Sequence, residues 1–235
     1  MKIFVYSGSP KDESSTGYKF IKKVEKYLNE ANFKFSIKIY TADKLNIKES
    51  NGEATEFSNG ESLYDDDMVM LEKAMLESDL IIFISPVYAH NVSSQMKKFI
   101  DRIAYWLHLY KLIGRMGYIV SVSSNNGNDI VNDYLKQMME YLGLYVLGTT
   151  SIQTAHIGKD DKIIDSYARF LSNKILFSEN SEMVEIPFSQ EKAFQIQKAK
   201  YIEQSQVDFE KNYWVKQGFF NYETFEELFM DRMRR

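Results

Sequence analysis

Five short apolar runs, each followed by a segment of helical period, constrain the fold of this chain more than any other feature. The runs are Lys2 to Tyr6, Phe35 to Tyr40, Leu80 to Ile84, Tyr118 to Val122 and Tyr145 to Ile152. Between them, apolar side chains recur three and four residues apart. Phe20, Ile21, Val24, Tyr27 and Leu28 share one face; so do Met68, Leu71 and Met75. Met96, Phe99, Ile100, Ile103 and Leu107 form a third set, and Val131, Tyr134, Leu135, Met138 and Leu142 a fourth. A fifth helix is expected over 161–176. Parallel neighbours cannot be joined by a tight turn and need a crossover, usually a helix. The alternation therefore predicts a parallel sheet with both faces covered.

Five strands and five helices fit the flavodoxin-like α/β order 2-1-3-4-5, with the first and third strands flanking the switch point. Helix starts are legible too. Ser14, Ser15 or Thr16 can cap the first helix, and Ser93 or Ser94 the helix after the third strand. Asp65, Asp66 and Asp67 suit the positive end of a helix dipole. Residues 43 to 64 are polar, with turn signals at Asn51-Gly52 and Asn59-Gly60, and read as a long loop.

Residues 1–176 form the expected domain, and 177–235 a C-terminal extension outside the alternation. Pro187 breaks the chain, Phe188 to Asp208 reads as helical, and the end is dense in aromatics from Phe209 to Phe229. Two readings stand. The aromatics pack on their own domain, or they form a subunit interface, where aromatics are enriched. A homodimer or tetramer is expected, because an apolar patch of that size is uncommon on a soluble monomer.

Composition narrows function. A net charge of -4 and a pI near 5.5 argue against general nucleic-acid binding. The absence of cysteine excludes disulfides, thiolate catalysis and cysteine-ligated clusters. His90, His108 and His156 lack the close spacing of zinc motifs, so no metal is expected. No apolar run approaches a membrane span, and the N-terminus has no signal-peptide pattern, so a cytoplasmic protein is expected.

The chemistry sits at strand ends, where open parallel sheets bind ligands. After the first strand, Ser7-Gly8-Ser9-Pro10 leads to Ser14-Ser15-Thr16. These hydroxyls, with the unpaired N–H groups of the following helix, make a neutral-donor site for a monophosphate. The blander reading is a serine-rich turn that only caps the helix. The loop lacks both the Gly-Lys-Ser/Thr ending of a nucleoside-triphosphate loop and the dinucleotide glycine fingerprint. After the third strand comes Ser85-Pro86-Val87-Tyr88-Ala89-His90-Asn91, and after the fourth Ser123-Ser124-Asn125-Asn126-Gly127-Asn128.

Gly8-Ser9-Pro10 with Thr16, and Ser85-Pro86-Val87-Tyr88 with Gln95 to Arg102, resemble the NAD(P)H-dependent FMN reductase family over roughly residues 1 to 175. The resemblance implies FMN as cofactor, NAD(P)H as co-substrate and a small-molecule electron acceptor. It implies that Ser9, Ser14, Ser15 and Thr16 hold the phosphate. Pro86, Val87, Tyr88 and Ala89 would run along the flavin. Asn91, Ser123, Ser124, Asn125, Asn126 and Gly127 would lie near the polar ring edge. His90 is the candidate proton donor, although hydride transfer at a flavin needs no protein acid. Asp101-Arg102 reads as structural or interfacial, and His108 and His156 as structural.

There are departures from the family pattern. Gly52 to Ser62 lacks the cysteines of the related iron–sulfur flavoproteins, and Ala89-His90 stands where relatives often carry a bulky aromatic. Two alternatives remain beside the enzyme: a flavodoxin-like electron carrier, and a binding module without flavin.

Overall fold

The computed structural model describes residues 1–52, 55–157, 162–178 and 184–233, the last two of the second range by backbone only. Glu53, Ala54, Asp161 and the side chain of His156 lie outside the described residues. In chain order the elements are β1 (Lys2–Ser7), α1 (Thr16–Glu30), β2 (Ser36–Thr41), α2 (Thr55–Asn59), α3 (Met68–Leu76), β3 (Leu80–Tyr88), β4 (Asn91–Val92) and α4 (Ser94–Arg102). Then come β5 (Met116–Ser123), α5 (Asn128–Tyr141), β6 (Tyr145–Gln153), α6 (Thr154–Ile157), α7 (Lys162–Ser178), α8 (Phe188–Glu203), α9 (Phe209–Gln217) and α10 (Phe225–Met233).

The parallel strands lie in the order β2-β1-β3-β5-β6, the flavodoxin-like order expected from the alternation. The strands are added outward in opposite directions from β1 and β3, so the switch point lies between these two parallel neighbours. Successive residues of the central strands point to opposite faces and both are buried, hence their unbroken apolar runs. Ile3, Val5, Leu80, Ile82, Tyr118 and Val120 pack under α1 and α7. Phe4, Tyr6, Ile81, Phe83 and Ile119 pack under α3, α4 and α5. Phe99 of α4 stacks on Tyr6 at 4.0 Å and meets Phe83 edge-on at 5.5 Å.

The polar stretch 43–64 is less irregular than its composition suggests. It contains α2 and is tied down by a buried ion pair. Arg102, at the end of α4, pairs with Asp66; both side chains are 0% exposed. The guanidinium also donates to the Lys48 carbonyl at 2.9 Å and to Ser62 Oγ at 2.8 Å, and lies 4.0 Å from the Tyr64 ring centroid. Arg102 is therefore structural. The helix carrying it stops there, earlier than the periodicity to Leu107 suggests, and a tight turn follows at 104–106.

The C-terminal aromatics build a third core within the same chain. Trp214 stacks on Phe194 at 5.4 Å, meets Tyr201 and Phe219 edge-on, and donates its indole N–H to the His108 carbonyl at 2.8 Å. Phe225 and Phe229 close the cluster against Tyr110. This intramolecular packing removes the exposed patch on which the expectation of a tail-mediated dimer rested. The extension sits at the amino-terminal end of the sheet: Gln190 reaches the Glu140 and Leu144 carbonyls beyond α5. Expected to start at residue 177, it begins in effect after α7, which continues to Ser178.

Glu210 links the extension to the core. Its carboxylate accepts from Tyr201 at 2.6 Å and faces His108 Nδ1 at 2.9 Å. Burial opposes its charge, but the hydrogen bonds with His108 and Tyr201 outweigh it and hold the carboxyl below its ordinary value.

Two predictions follow from these contacts. Asp66→Ala leaves Arg102 buried and unpaired, which should cost about 3–5 kcal/mol in urea unfolding. An unchanged unfolding midpoint would mean that water or another group replaces the carboxylate. Glu210 should give a pH-dependent difference. A depressed folded value contributes stability above the unfolded carboxyl value of about 4.3, lost as pH falls through the folded value. The stability gap between the native chain and Glu210→Gln should therefore shrink below about pH 4. Urea curves at stepped pH measure it, and a constant gap would contradict the assignment.

Candidate active site

The carboxyl ends of β1, β3 and β5 converge on one cleft of about 330 Å³. Ser9, Lys11, Ser15, Thr16 and Gly17 form one wall, Ile84, Pro86, Val87 and Tyr88 another, and Val122, Ser123, Ser124 and Thr154 a third.

The walls are held at short range by small residues. Ser93 Oγ donates to the Gly8 carbonyl at 2.7 Å and accepts from Met96 N at 3.1 Å, capping α4. Ser93 N donates to Ser85 Oγ at 3.1 Å, and Gly8 N to the Ile84 carbonyl at 2.8 Å. A Cβ on Gly8 would lie 2.8 Å from both Met96 Cβ and Ser93 Oγ, so only glycine allows this approach. Gly17 does the same where α1 crosses β3: a Cβ there would lie 2.5 Å from Ile84 Cγ2.

In the first loop, Ser15 caps α1, its Oγ accepting from Tyr18 N at 3.2 Å. Ser9 is buried, and its Oγ accepts from Lys11 N at 3.2 Å. Thr16 and Gly17 begin the helix, where N–H groups lack intrahelical acceptors. Ser14 is placed differently. It is exposed, donates its hydroxyl to the Lys11 carbonyl at 2.5 Å, and does not line the cleft.

The second loop continues β3 into a hairpin. Val87 pairs with Val92 and Tyr88 with Asn91, leaving Ala89 and His90 as a two-residue turn. Their φ angles are 50° and 57°. Both central residues are left-handed, as a type I′ turn requires, and neither is glycine. Such backbone costs on the order of 1 kcal/mol per residue. Ala89, His90 and Asn91 are exposed at the hairpin tip, beside the cleft wall. Asn91 Oδ1 accepts from Val92 N at 2.8 Å.

The third loop is pinned by Asn128, whose Nδ2 donates to Ser121 and whose Oδ1 accepts from Ser123 Oγ at 2.6 Å. Gly127, at φ 79°, lets the loop touch the hairpin: a Cβ there would lie 3.0 Å from Val87 Cγ1 and 3.4 Å from His90. Ser123 and Ser124 face the cleft. Asn125, Asn126 and Gly127 instead line a neighbouring polar groove with Asn132, Ser151 and Gln153. Among the described residues, no cluster of three or more metal-ligating side chains occurs.

Residues 1–157 match the family model described as NADPH-dependent FMN reductase. The chain belongs to this family. An iron–sulfur flavoprotein of Archaeoglobus fulgidus is 31% identical over 149 residues, which cover 63% of this chain and 66% of that protein. The match thus spans slightly less than two thirds of that relative. The present 235 residues contain no cysteine with which to ligate a cluster. RosB, solved with a bound intermediate, superposes with a TM-score of 0.64 at 12% identity, covering 88% of this chain and 89% of that one. An FMN-dependent NADH-azoreductase from Bacillus anthracis, in complex with FMN, gives a TM-score of 0.55 at 16% identity, covering 74% and 100%. At these identities the structural likeness bears on the fold.

The residues present fit an FMN monophosphate. The cleft offers hydroxyls, N–H groups at a helix start and a cationic residue, Lys11, with apolar Pro86 and Val87 alongside. Sequence reasoning omitted Lys11, Gly17 and Thr154 from the site and read Ser93 only as a cap. Lys11 was visible as the cation between Pro10 and Ser14. Thr154 was not, because it follows the last strand in an unremarkable context.

If Gly8 and Ser93 form one contact, their substitutions must couple. Gly8→Ala should cost about 1–3 kcal/mol through overpacking, and Ser93→Ala about 1–2 kcal/mol through the lost cap and hydrogen bond. The double variant should fall short of their sum by at least about 0.5 kcal/mol. Strict additivity in urea unfolding would show that the two residues act independently.

Proposed function

We propose that this chain is an FMN-dependent oxidoreductase that takes a hydride from NAD(P)H and passes it to a small organic acceptor, such as a quinone or a flavin, in a ping-pong cycle. The observation that carries the reading is the convergence of Ser9, Lys11, Ser15 and Thr16 with Pro86, Val87 and Tyr88 on one cleft, within a chain of the FMN reductase family. Bound FMN supplies the hydride chemistry itself.

The protein residues bind and orient. Ser9 and Thr16 hydroxyls, with the N–H groups at the start of α1, hold the phosphate, and Lys11 offsets its charge. Ser15 shapes the loop by capping the helix. Ser14 supports the loop through the Lys11 carbonyl. Pro86, Val87, Tyr88 and Ala89 give the ring an apolar rest that limits water. Ser123 and Ser124 supply polar groups at its edge, with Asn91, Asn125, Asn126 and Gly127 nearby. His90, at the hairpin tip, would donate a proton to an acceptor that needs one. A cytoplasmic setting and a homo-oligomeric state belong to the same reading.

Purified protein should be yellow, with FMN at about one per chain. Lys11→Ala should weaken FMN binding about ten- to a hundredfold, as expected for one charge-assisted hydrogen bond of about 1.5–3 kcal/mol. Riboflavin, which lacks the phosphate, should bind both forms equally. Fluorescence titration distinguishes these outcomes, and NAD(P)H oxidation with a quinone tests turnover. A chain that takes up no flavin would overturn the reading.

A further inference from the structure

Beside the buried apolar seam of Val131, Leu135 and Met139, helix α5 carries a polar stripe. Asp129, Asn132, Asp133 and Lys136 follow helical spacing and share one face. A polar row on β6 stands opposite. Thr149, Ser151 and Gln153 alternate along the strand and so point to one side, while Thr150 and Ile152 are buried on the other. The two rows enclose a groove of about 600 Å³. Asn132 bridges them. It is only 7% exposed, its Nδ2 donates to Ser151 Oγ at 2.9 Å, and its Oδ1 finds no donor among the described residues. A buried amide oxygen without a donor is costly, so the groove holds one unmet acceptor.

The groove adjoins the cleft at two points. Ser124 lines the cleft and Asn125, next in the chain, lines the groove. Thr154 lines the cleft and Gln153, just before it, lines the groove. Ala155 N donates to the Ser124 carbonyl at 2.8 Å and Thr154 Oγ1 to the Ser123 carbonyl at 3.1 Å, which fixes the ridge between the two hollows.

We infer that the groove binds a neutral polyhydroxylated chain, the tail of an electron acceptor whose reducible ring lies in the cleft. The chemistry of the walls selects that class. Their amides and hydroxyls both donate and accept, as the hydroxyls of a polyol do, and the Asp129 and Asp133 carboxylates accept further bonds. Among the described residues no aromatic or aliphatic side chain lines the groove, so an apolar ring gains nothing there. Charge argues against phosphates. The two carboxylates face a single ammonium, that of Lys136, which stands 3.8 Å from Glu140. The pyrophosphate of a nicotinamide nucleotide would meet net negative charge, which favours the acceptor over the hydride donor as the source of the tail. The acceptor role rests on the oxidoreductase reading above; polyol binding by the groove does not.

Two measurements on the full chain, with FMN present in excess, test the site. Saturation-transfer NMR with ribitol needs no turnover. The native chain should transfer magnetisation to the ribitol protons. Asn132→Leu and Gln153→Leu should each weaken binding about two- to tenfold, the effect of one lost neutral hydrogen bond. Gln153→Leu, at the partly exposed end of β6, decides the matter should Asn132→Leu fail to fold. The second measurement compares riboflavin with lumiflavin as acceptors, the same ring with and without a ribityl chain. The native KM should be at least about fivefold lower for riboflavin, as one or more such hydrogen bonds would give. Either variant should narrow that difference and leave the KM for NAD(P)H and for lumiflavin unchanged. Equal native KM values for the two flavins, or no transfer to ribitol, would overturn the assignment. So would variants that raise only the KM for NAD(P)H, since the groove would then serve the donor. Transfer to ribitol by a chain that takes up no flavin would uphold the polyol site and overturn the oxidoreductase reading, with the acceptor role that rests on it.

Discussion

How closely the first loop can approach the helix behind the second sets the shape of the cleft, and one hydroxyl between two small residues fixes that distance. Ser93 Oγ donates to the Gly8 carbonyl while capping α4, so the same atom orders a helix start and a loop. Gly8 in turn hydrogen-bonds to β3 at Ile84. Two strand ends on either side of the switch point become one rigid frame. A ligand bridging the loops then meets donors that are already positioned, and the ordering entropy has been met in folding. The hairpin at Ala89 and His90 extends this frame. Its left-handed turn costs backbone energy, and its contact with Gly127 ties the third loop to the second.

Stability is gathered away from this cleft. The Arg102–Asp66 pair ties the polar excursion between β2 and α3 to the far end of α4, and the aromatic core closes over residues 104–115 at the amino-terminal end of the sheet. Among the described residues, the lining of the cleft ends at Thr154. Substitutions in the extension therefore act first on folding and only indirectly on the cleft. Of the two readings left open by its composition, the aromatics of the extension follow the one in which they pack on their own chain.

Elements whose identity depends on local pattern were legible in the sequence. The central strands are buried on both faces and could not be mistaken for amphipathic ones; α1, α5 and α7 show their period plainly. Ser15 and Ser93 were each among the two or three hydroxyls expected to cap their helices, because a hydroxyl before an apolar period has few other roles. What escaped depended on distant partners. Nothing local says that α4 ends at Arg102, or that α2 forms within a polar stretch. Asn125 and Asn126 follow Ser123 and Ser124 without a break in composition, yet the loop turns them into a different groove. The aromatic tail was visible as something that must be buried, but Tyr110 and Ile113 as its receptors were not, since they sit about a hundred residues upstream of most of it.

That separation has a consequence for how the chain is made. During synthesis the sheet up to β6 can assemble once the ribosome has passed α7, and domains tend to fold in this vectorial way. The segment around Tyr110 and Ile113 has then taken its place, but its cover, from Phe194 to Phe229, has yet to emerge. For that interval the nascent chain presents a sticky apolar floor to everything around it. Closing it needs contacts of high sequence separation, which form slowly. The segment from Phe194 to Phe229 thus acts as a late-arriving lid on a hydrophobic surface that the sheet has already put in place, and a ribosome stalled shortly before it would leave that surface uncovered.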